Sequence, residues 1–190
     1  MITSAWIDTE TTGIDPRVSG AFEVALLIYK GKECVFENLY LLNPLSDEVK
    51  WTEEAYKVNG VSEEAIRSYP PLETIVKAMA MDLQKFMPPE KYVFAGYNCG
   101  FDYGHVGALL FRGGFLVTDF FNKRLIDVYD LVKKAVELGE LPQTENQKLE
   151  TMAKALGVNP GASHTAMDDI KTTRRLYETI WHIHNRGKQE

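Results

Sequence analysis

Residues 3–13 read TSAWIDTETTG, an apolar run that meets two acids and then a glycine. The run from Thr3 to Asp8 predicts a short strand, and Thr9-Glu10-Thr11-Thr12-Gly13 predicts a polar turn closed by glycine. Side chains alternate across a strand, so positions 8 and 10 point the same way and two carboxylates can converge at a strand end. Hard cations such as Mg²⁺ take oxygen ligands of this kind. Taken alone, Asp8 and Glu10 read more simply as ordinary turn acids.

Working outward, AFEVALLIY (21–29) and CVFENLYLL (34–42) predict two further strands. Lys30-Gly31-Lys32 between them predicts a hairpin, so the sheet opens as an antiparallel meander. Thr52 and Ser62, each followed by two glutamates, are N-cap candidates. Pro70-Pro71 opens a clearer helix, with Leu72, Ile75, Val76, Met79, Leu83 and Phe86 on one face, and Pro88-Pro89 ends it. KYVFAGY (91–97) predicts a fourth strand, followed by a helix from Asp102 to Arg112 stopped by Gly113-Gly114. A short fifth strand is expected at Arg124 to Val128, then helices to about Leu138, from Gln147 to Leu156, and from about Thr165 to Ile183. The expected order is β-β-β-α-α-β-α-β-α-α-α, which predicts an α/β domain: a mixed central five-stranded sheet flanked by helices. One domain is expected across residues 1–190, with no repeat or linker.

Two more segments carry chemistry. Asn98-Cys99-Gly100-Phe101-Asp102 follows the fourth strand, and carboxylates at the C-terminal ends of such strands are where α/β active sites collect. Asp102 reads equally as a helix cap. His164-Thr165-Ala166-Met167-Asp168-Asp169 opens the last helix, with Asp169 expected to face inward and His164 on the preceding loop. Alone, this segment reads as an exposed histidine followed by solvated acids.

Together, the segments DTETTG (8–13), NCGFD (98–102) and HTAMDD (164–169) resemble the DEDDh branch of the DnaQ-like 3′→5′ exonucleases, of the RNase T and DNA polymerase III proofreading-subunit type. VNGVSEE (58–64) and LETMAKALGV (149–158) resemble lesser landmarks of that family, and the likeness covers nearly the whole chain. Asn59 stands where many relatives carry histidine, and GGFLVTDFFNK (113–123) reads as a family-variable insertion. The resemblance implies an RNase H-like fold and two Mg²⁺ or Mn²⁺ ions per site. It implies that Asp8 bridges both ions, that Glu10 and Asp169 complete the first, and that Asp102 helps hold the second. It also implies His164 as general base on the attacking water, and nucleoside 5′-monophosphates as products. Backbone groups of Thr9, Thr11, Thr12 and Gly13, together with Asn98, would line the terminal-nucleotide pocket, and Ile14 would pack against the base.

Trp51, Phe101 and Tyr103 are candidate stacking residues, and Lys148, Arg174 and Arg175 candidate phosphate contacts; core packing and solvated helix faces are the plainer readings of these six.

Composition narrows the classes. Hydrophobic residues make up 45% and charged residues 25% of 190, an ordinary globular balance. A net charge of −6 excludes a generic basic nucleic-acid coat, and acids meeting a phosphodiester need bound cations to offset repulsion. Two isolated cysteines, Cys34 and Cys99, make no disulfide framework, and no apolar stretch is long enough to span a bilayer. The expectation is a cytoplasmic enzyme without a membrane anchor, acting on 3′ ends of single-stranded DNA or RNA. An exoribonuclease on short RNA or RNA tails is the nearest rival, then a non-catalytic binding or assembly module, then a small-nucleotide phosphodiesterase. A polymerase partner and a homodimer both stay open.

Overall fold

The computed structural model describes residues 2–161 and 165–186, without the side chain of Arg186. Its sheet is built from β1 (Thr3–Thr11), β2 (Ala21–Lys30), β3 (Glu33–Leu41), β4 (Tyr92–Gly96) and β5 (Phe121–Asp127). Strand order is β3-β2-β1-β4-β5. The meander β1-β2-β3 is antiparallel, while β1-β4 and β4-β5 are parallel, so the sheet is mixed as expected.

Eight helices fill the connections among the described residues: α1 (Glu53–Asn59), α2 (Glu63–Arg67), α3 (Leu72–Phe86), α4 (Gly100–Arg112), α5 (Val117–Phe120), α6 (Val128–Glu137), α7 (Leu149–Ala155) and α8 (Ala166–Arg186). The two N-caps are present: Thr52 Oγ1 accepts the Ala55 N–H, and Ser62 Oγ the Ala65 N–H, each at 3.2 Å. α3 buries Leu72, Val76, Met79 and Leu83, the face its periodicity predicts. None of the described helices is long and apolar enough to cross a membrane.

Strand alternation divides the interior into two layers. Ala5, Ile7, Val24, Leu26 and Ile28 face α3 and α4. Trp6, Ala25 and Leu27 face α6, α7 and α8. This parity decides where the acids at the end of β1 point.

The structure departs from the sequence expectation in three places. β1 does not end at Asp8; it stays paired with β2 through Asp8↔Ala25, Thr9↔Val24 and Glu10↔Glu23, so the acids sit on a strand. β5 begins at Phe121, three residues before Arg124, and the one-turn α5 precedes it. The stretch 113–123, read as a family-variable insertion, packs into the core: Phe120 and Phe121 are buried and Phe115 packs on Phe120. With α5, and with α1, α2 and α3 all distinct between β3 and β4, the order has two more helices than expected.

A gap opens where β1 outruns its parallel neighbour. β4 pairs with β1 only at Ser4, Ala5 and Trp6, and then turns into α4. Gly96 permits that turn: a Cβ there would lie 2.9 Å from the Ile7 carbonyl oxygen and 3.1 Å from Cys99 Cβ. The last residues of β1 thus border a cleft at the C-terminal ends of the parallel strands.

Candidate active site

Asp8 and Glu10 share the parity of Trp6 and project toward α8. There they meet Asp169 in the helix's first turn, and one carboxylate oxygen from each of the three lies within 4.8 Å of the others. Thr9 has the opposite parity and projects toward α4, where its hydroxyl donates to Asp102 Oδ1 at 2.7 Å. Asp102 is only 4% exposed and lies within the first turn of α4. It is not a cap, since Cys99 occupies that position and no side chain caps the helix. One tripeptide, Asp8-Thr9-Glu10, therefore reaches into both layers.

Crowding of acids has an electrostatic cost. Burial, then repulsion from Asp102, Asp169, Glu10 and Glu23, holds the Asp8 carboxyl well above the usual range. Glu10 is pushed up to about 7 by burial and by Glu23, Asp169 and Asp102. Burial raises Asp102 to about 7, against the Thr9 hydrogen bonds that lower it. Oxygen donors this close, with Asp8 and Glu10 resisting ionisation in a buried site that lacks counter-charge, fit a hard divalent cation. Asp8, Glu10 and Asp169 supply that donor set, and Asp102 stands beside it.

Around the acids lies a cleft of about 610 Å³ lined by Thr9, Thr11, Gly13, Ile14, Tyr97 and Asn98, among others. Ile14 is 86% exposed and Val58 is 83% exposed, so neither is a core residue. Phe101 enters the cleft from α4 with its ring 4.6 Å from that of His105. Asn98 adopts a left-handed backbone (φ 55°), which asparagine tolerates better than most residues.

The structure does not bring Thr12 to the cleft. A bulge between Glu10 and Thr11 turns it inward, where it is fully buried. Its N–H donates to the Gly20 carbonyl, its carbonyl accepts from Thr52 Oγ1, and its hydroxyl accepts the Gly20 N–H. His164 lies outside the described residues. Trp51 donates from Nε1 to the Val61 carbonyl and Tyr103 packs edge-on against Phe94, so neither is a free stacking platform. Arg174, 5% exposed, sits between the rings of Trp6, Tyr29 and Tyr177 and pairs with Glu178 at 3.0 Å. Arg175 donates to the Asn159 carbonyl. Lys148 borders a shallow groove that continues from the cleft at Tyr97 and Asn98.

Two acids that sequence reasoning passed over shape the site. Glu23 on β2 accepts the Ala166 N–H at 2.9 Å; its signal was an acid inside an otherwise apolar strand. Asp127 accepts the N–H groups of Asn98 (2.9 Å), Cys99 (2.9 Å) and Tyr129 (3.0 Å). It thereby caps α6 and pins the turn between β4 and α4. Asn59, given no role from sequence, donates to the Thr11 carbonyl at 3.1 Å and holds α1 against the end of β1.

The exonuclease family model RNase_T matches residues 5–177. The chain is 23% identical over 171 residues to the DNA polymerase III PolC-type of Thermotoga maritima, covering 90% of this chain and 11% of that protein. It is 25% identical over 172 residues to the oligoribonuclease of Baumannia cicadellinicola subsp. Homalodisca coagulata, covering 87% and 85%. The fold superposes on E. coli Exonuclease I in complex with a dT13 oligonucleotide with a TM-score of 0.82 and 18% identity, covering 100% of this chain and 43% of that one. The chain thus spans about a tenth of the PolC-type protein and less than half of the Exonuclease I chain.

Proposed function

The chain belongs to the RNase_T exonuclease family, and from that premise we propose that it trims single-stranded DNA or RNA from the 3′ end, releasing nucleoside 5′-monophosphates. The observation that carries this reading is the convergence of Asp8, Glu10 and Asp169 within 4.8 Å at one side of a nucleotide-sized cleft. Superposition on an exonuclease whose structure contains dT13 supports a single-stranded substrate.

Asp8, Glu10 and Asp169 would hold Mg²⁺ or Mn²⁺, with Asp102 beside them to take part in holding a second ion. Bound there, divalent cations supply activation of water and stabilisation of the leaving oxygen. The protein's own groups do the rest. Ile14, Val58 and Phe101 present apolar surface to the terminal base, and Gly13 and Thr11 line the pocket beside it. Asn98 and Tyr97 mark the passage toward the groove beside Lys148, along which the upstream strand leaves. His164, two residues before Ala166, accepts the proton of the attacking water. The new bond joins the water oxygen to phosphorus, and the P–O3′ bond of the penultimate nucleotide breaks. The shortened strand takes a solvent proton as its 3′ hydroxyl, while the 5′-monophosphate departs.

A second reading, trimming of short RNA oligonucleotides, is favoured by the near end-to-end match to an oligoribonuclease. Matched 5′-labelled DNA and RNA, single- and double-stranded and of several lengths, digested with Mg²⁺, Mn²⁺ or chelator, separate the two. The main reading expects both sugars to be trimmed stepwise from the 3′ end and chelator to stop it. Confinement to RNA of a few nucleotides selects the second reading, and internal cleavage contradicts both.

A further inference from the structure

We infer that Glu23 is a positioning residue for the acidic cluster: from the neighbouring strand it clamps the first turn of α8 and thereby sets the place of Asp169. The inference rests on reading Asp8, Glu10 and Asp169 as cation ligands.

Glu23 is the direct cross-strand partner of Glu10, and it shares the α8-facing parity of Ala25 and Leu27. Like charges directly opposite one another destabilise a sheet. The strand AFEVALLIY is otherwise uninterrupted by charge, and an apolar side chain at 23 would join the layer beneath α8 without that repulsion. A glutamate there costs stability unless it gains something in return.

What it gains is the Ala166 N–H, donated to Glu23 Oε1 at 2.9 Å. Ala166 is the first residue of α8, and the leading N–H groups of a helix have no partner within it. Local capping is already present, since Thr165 Oγ1 accepts the Asp168 N–H at 3.2 Å. Glu23 is therefore a second cap, supplied by the sheet, at the end of the helix dipole where negative charge is favoured. Asp169 follows within the same turn, its N–H donating to the Thr165 carbonyl at 3.0 Å.

The body of α8 does not depend on this bond. Ile170, Leu176 and Ile180 are buried in the layer between α8 and the sheet and fix the helix along its length. In the first turn Ala166 is buried in that layer as well, and the bond from Glu23 to its N–H adds a directional tie on the side that faces the β1 carboxylates. Ligands have to be held within roughly 0.5 Å of productive geometry, and a tie from β2, the strand paired with β1, gives Asp169 the same frame of reference as Asp8 and Glu10.

The test is Mn²⁺ binding by calorimetry without substrate, on the full chain and on Glu23→Gln, Glu23→Met, Asp169→Ala and the Glu23→Met/Asp169→Ala pair. Gln keeps an acceptor oxygen and should bind Mn²⁺ close to wild type. Met removes the acceptor and should weaken binding about tenfold, as loss of an outer partner of a ligand does, with a thermal midpoint in metal-free buffer no lower than wild type. In the Asp169→Ala background the Met substitution should cost nothing further, because its effect runs through Asp169. Wild-type affinity in Glu23→Met, an equal loss in Glu23→Gln, or an undiminished loss in the double variant would overturn the inference. So would a Glu23→Met protein that does not fold, since the helix body is anchored elsewhere. Unchanged Mn²⁺ binding in Asp169→Ala alone would instead overturn the reading of the cluster itself.

Discussion

The Thr9 hydroxyl donates to Asp102 Oδ1 at 2.7 Å, joining the middle of the β1 acid tripeptide to the first turn of α4. The bond orients a buried carboxylate that would otherwise have less reason to hold one rotamer. Thr9→Val keeps the shape and removes the donor. It should lower stability by about 1–2 kcal/mol at pH 8, measured by urea unfolding, and reduce the rate of strand shortening. Unchanged stability together with an unchanged rate would show that Asp102 is positioned by other means.

Acidity should couple the fold to divalent cations. Glu10 and Asp102 are held at about 7, from ordinary values of 4.5 and 3.8, and Asp8 is held well above its ordinary value by burial and its neighbours. Folded protein then keeps protons that the unfolded chain gives up near its ordinary carboxylate values. Their contribution to stability is neutral below about pH 4, falls as pH rises through the window toward 7, and levels off above it. Mn²⁺ bound by these carboxylates would take the place of those protons, so the gain in thermal midpoint on adding it should be small at pH 5 and large at pH 8. A gain independent of pH would contradict this account of the cluster.

Exposed apolar residues in the cleft should affect substrate and not folding. Ile14 is 86% exposed, so Ile14→Ala should change stability by less than about 0.5 kcal/mol. Together with Phe101→Ala it should raise KM for single-stranded oligonucleotides about tenfold, in keeping with roughly 1–3 kcal/mol per base contact, while kcat changes little. Melting curves and steady-state kinetics check the two halves separately. A fall in kcat with KM unchanged would argue against a base platform.

Asp127 serves three backbone N–H groups at once. Asp127→Ala leaves them without an acceptor and should cost on the order of 3 kcal/mol in urea unfolding. It should also loosen the left-handed turn at Asn98, seen as faster amide exchange at Asn98 and Cys99 than at Tyr92 and Phe94 of β4. Exchange unchanged at the turn would assign Asp127 to helix capping alone.

Much of this was legible in the sequence because it depends on local rules. Thr52 and Ser62 announce helix starts, the α3 face follows its periodicity, and the alternation of Asp8 and Glu10 puts both on one side of β1. The order of the three acidic segments then carried the resemblance. What was hidden depends on partners distant in sequence. A strand extending through Thr9, Glu10 and Thr11 looks like a turn until β2 is known to pair with it. Arg174 looks like a solvated helix residue until Trp6, Tyr29 and Tyr177 are seen around it. Thr12 reads as a pocket residue until the bulge at Glu10 and Thr11 turns it toward Gly20. Phe120 and Phe121 look like decoration because only the tertiary fold shows β5 beginning there. Glu23 and Asp127 each hold a backbone N–H from another element, and no local pattern records such a bond.

Removal of nucleotides from the 3′ end should depend on cations held by the cluster of Asp8, Glu10 and Asp169. The most direct test is digestion of a 5′-labelled single-stranded oligonucleotide in Mg²⁺ by wild type and by Asp8→Asn, resolved at single-nucleotide length. Wild type should give a ladder shortening stepwise from the 3′ end, and a folded Asp8→Asn protein should leave the substrate intact. An Asp8→Asn protein that yields the same ladder would contradict that dependence.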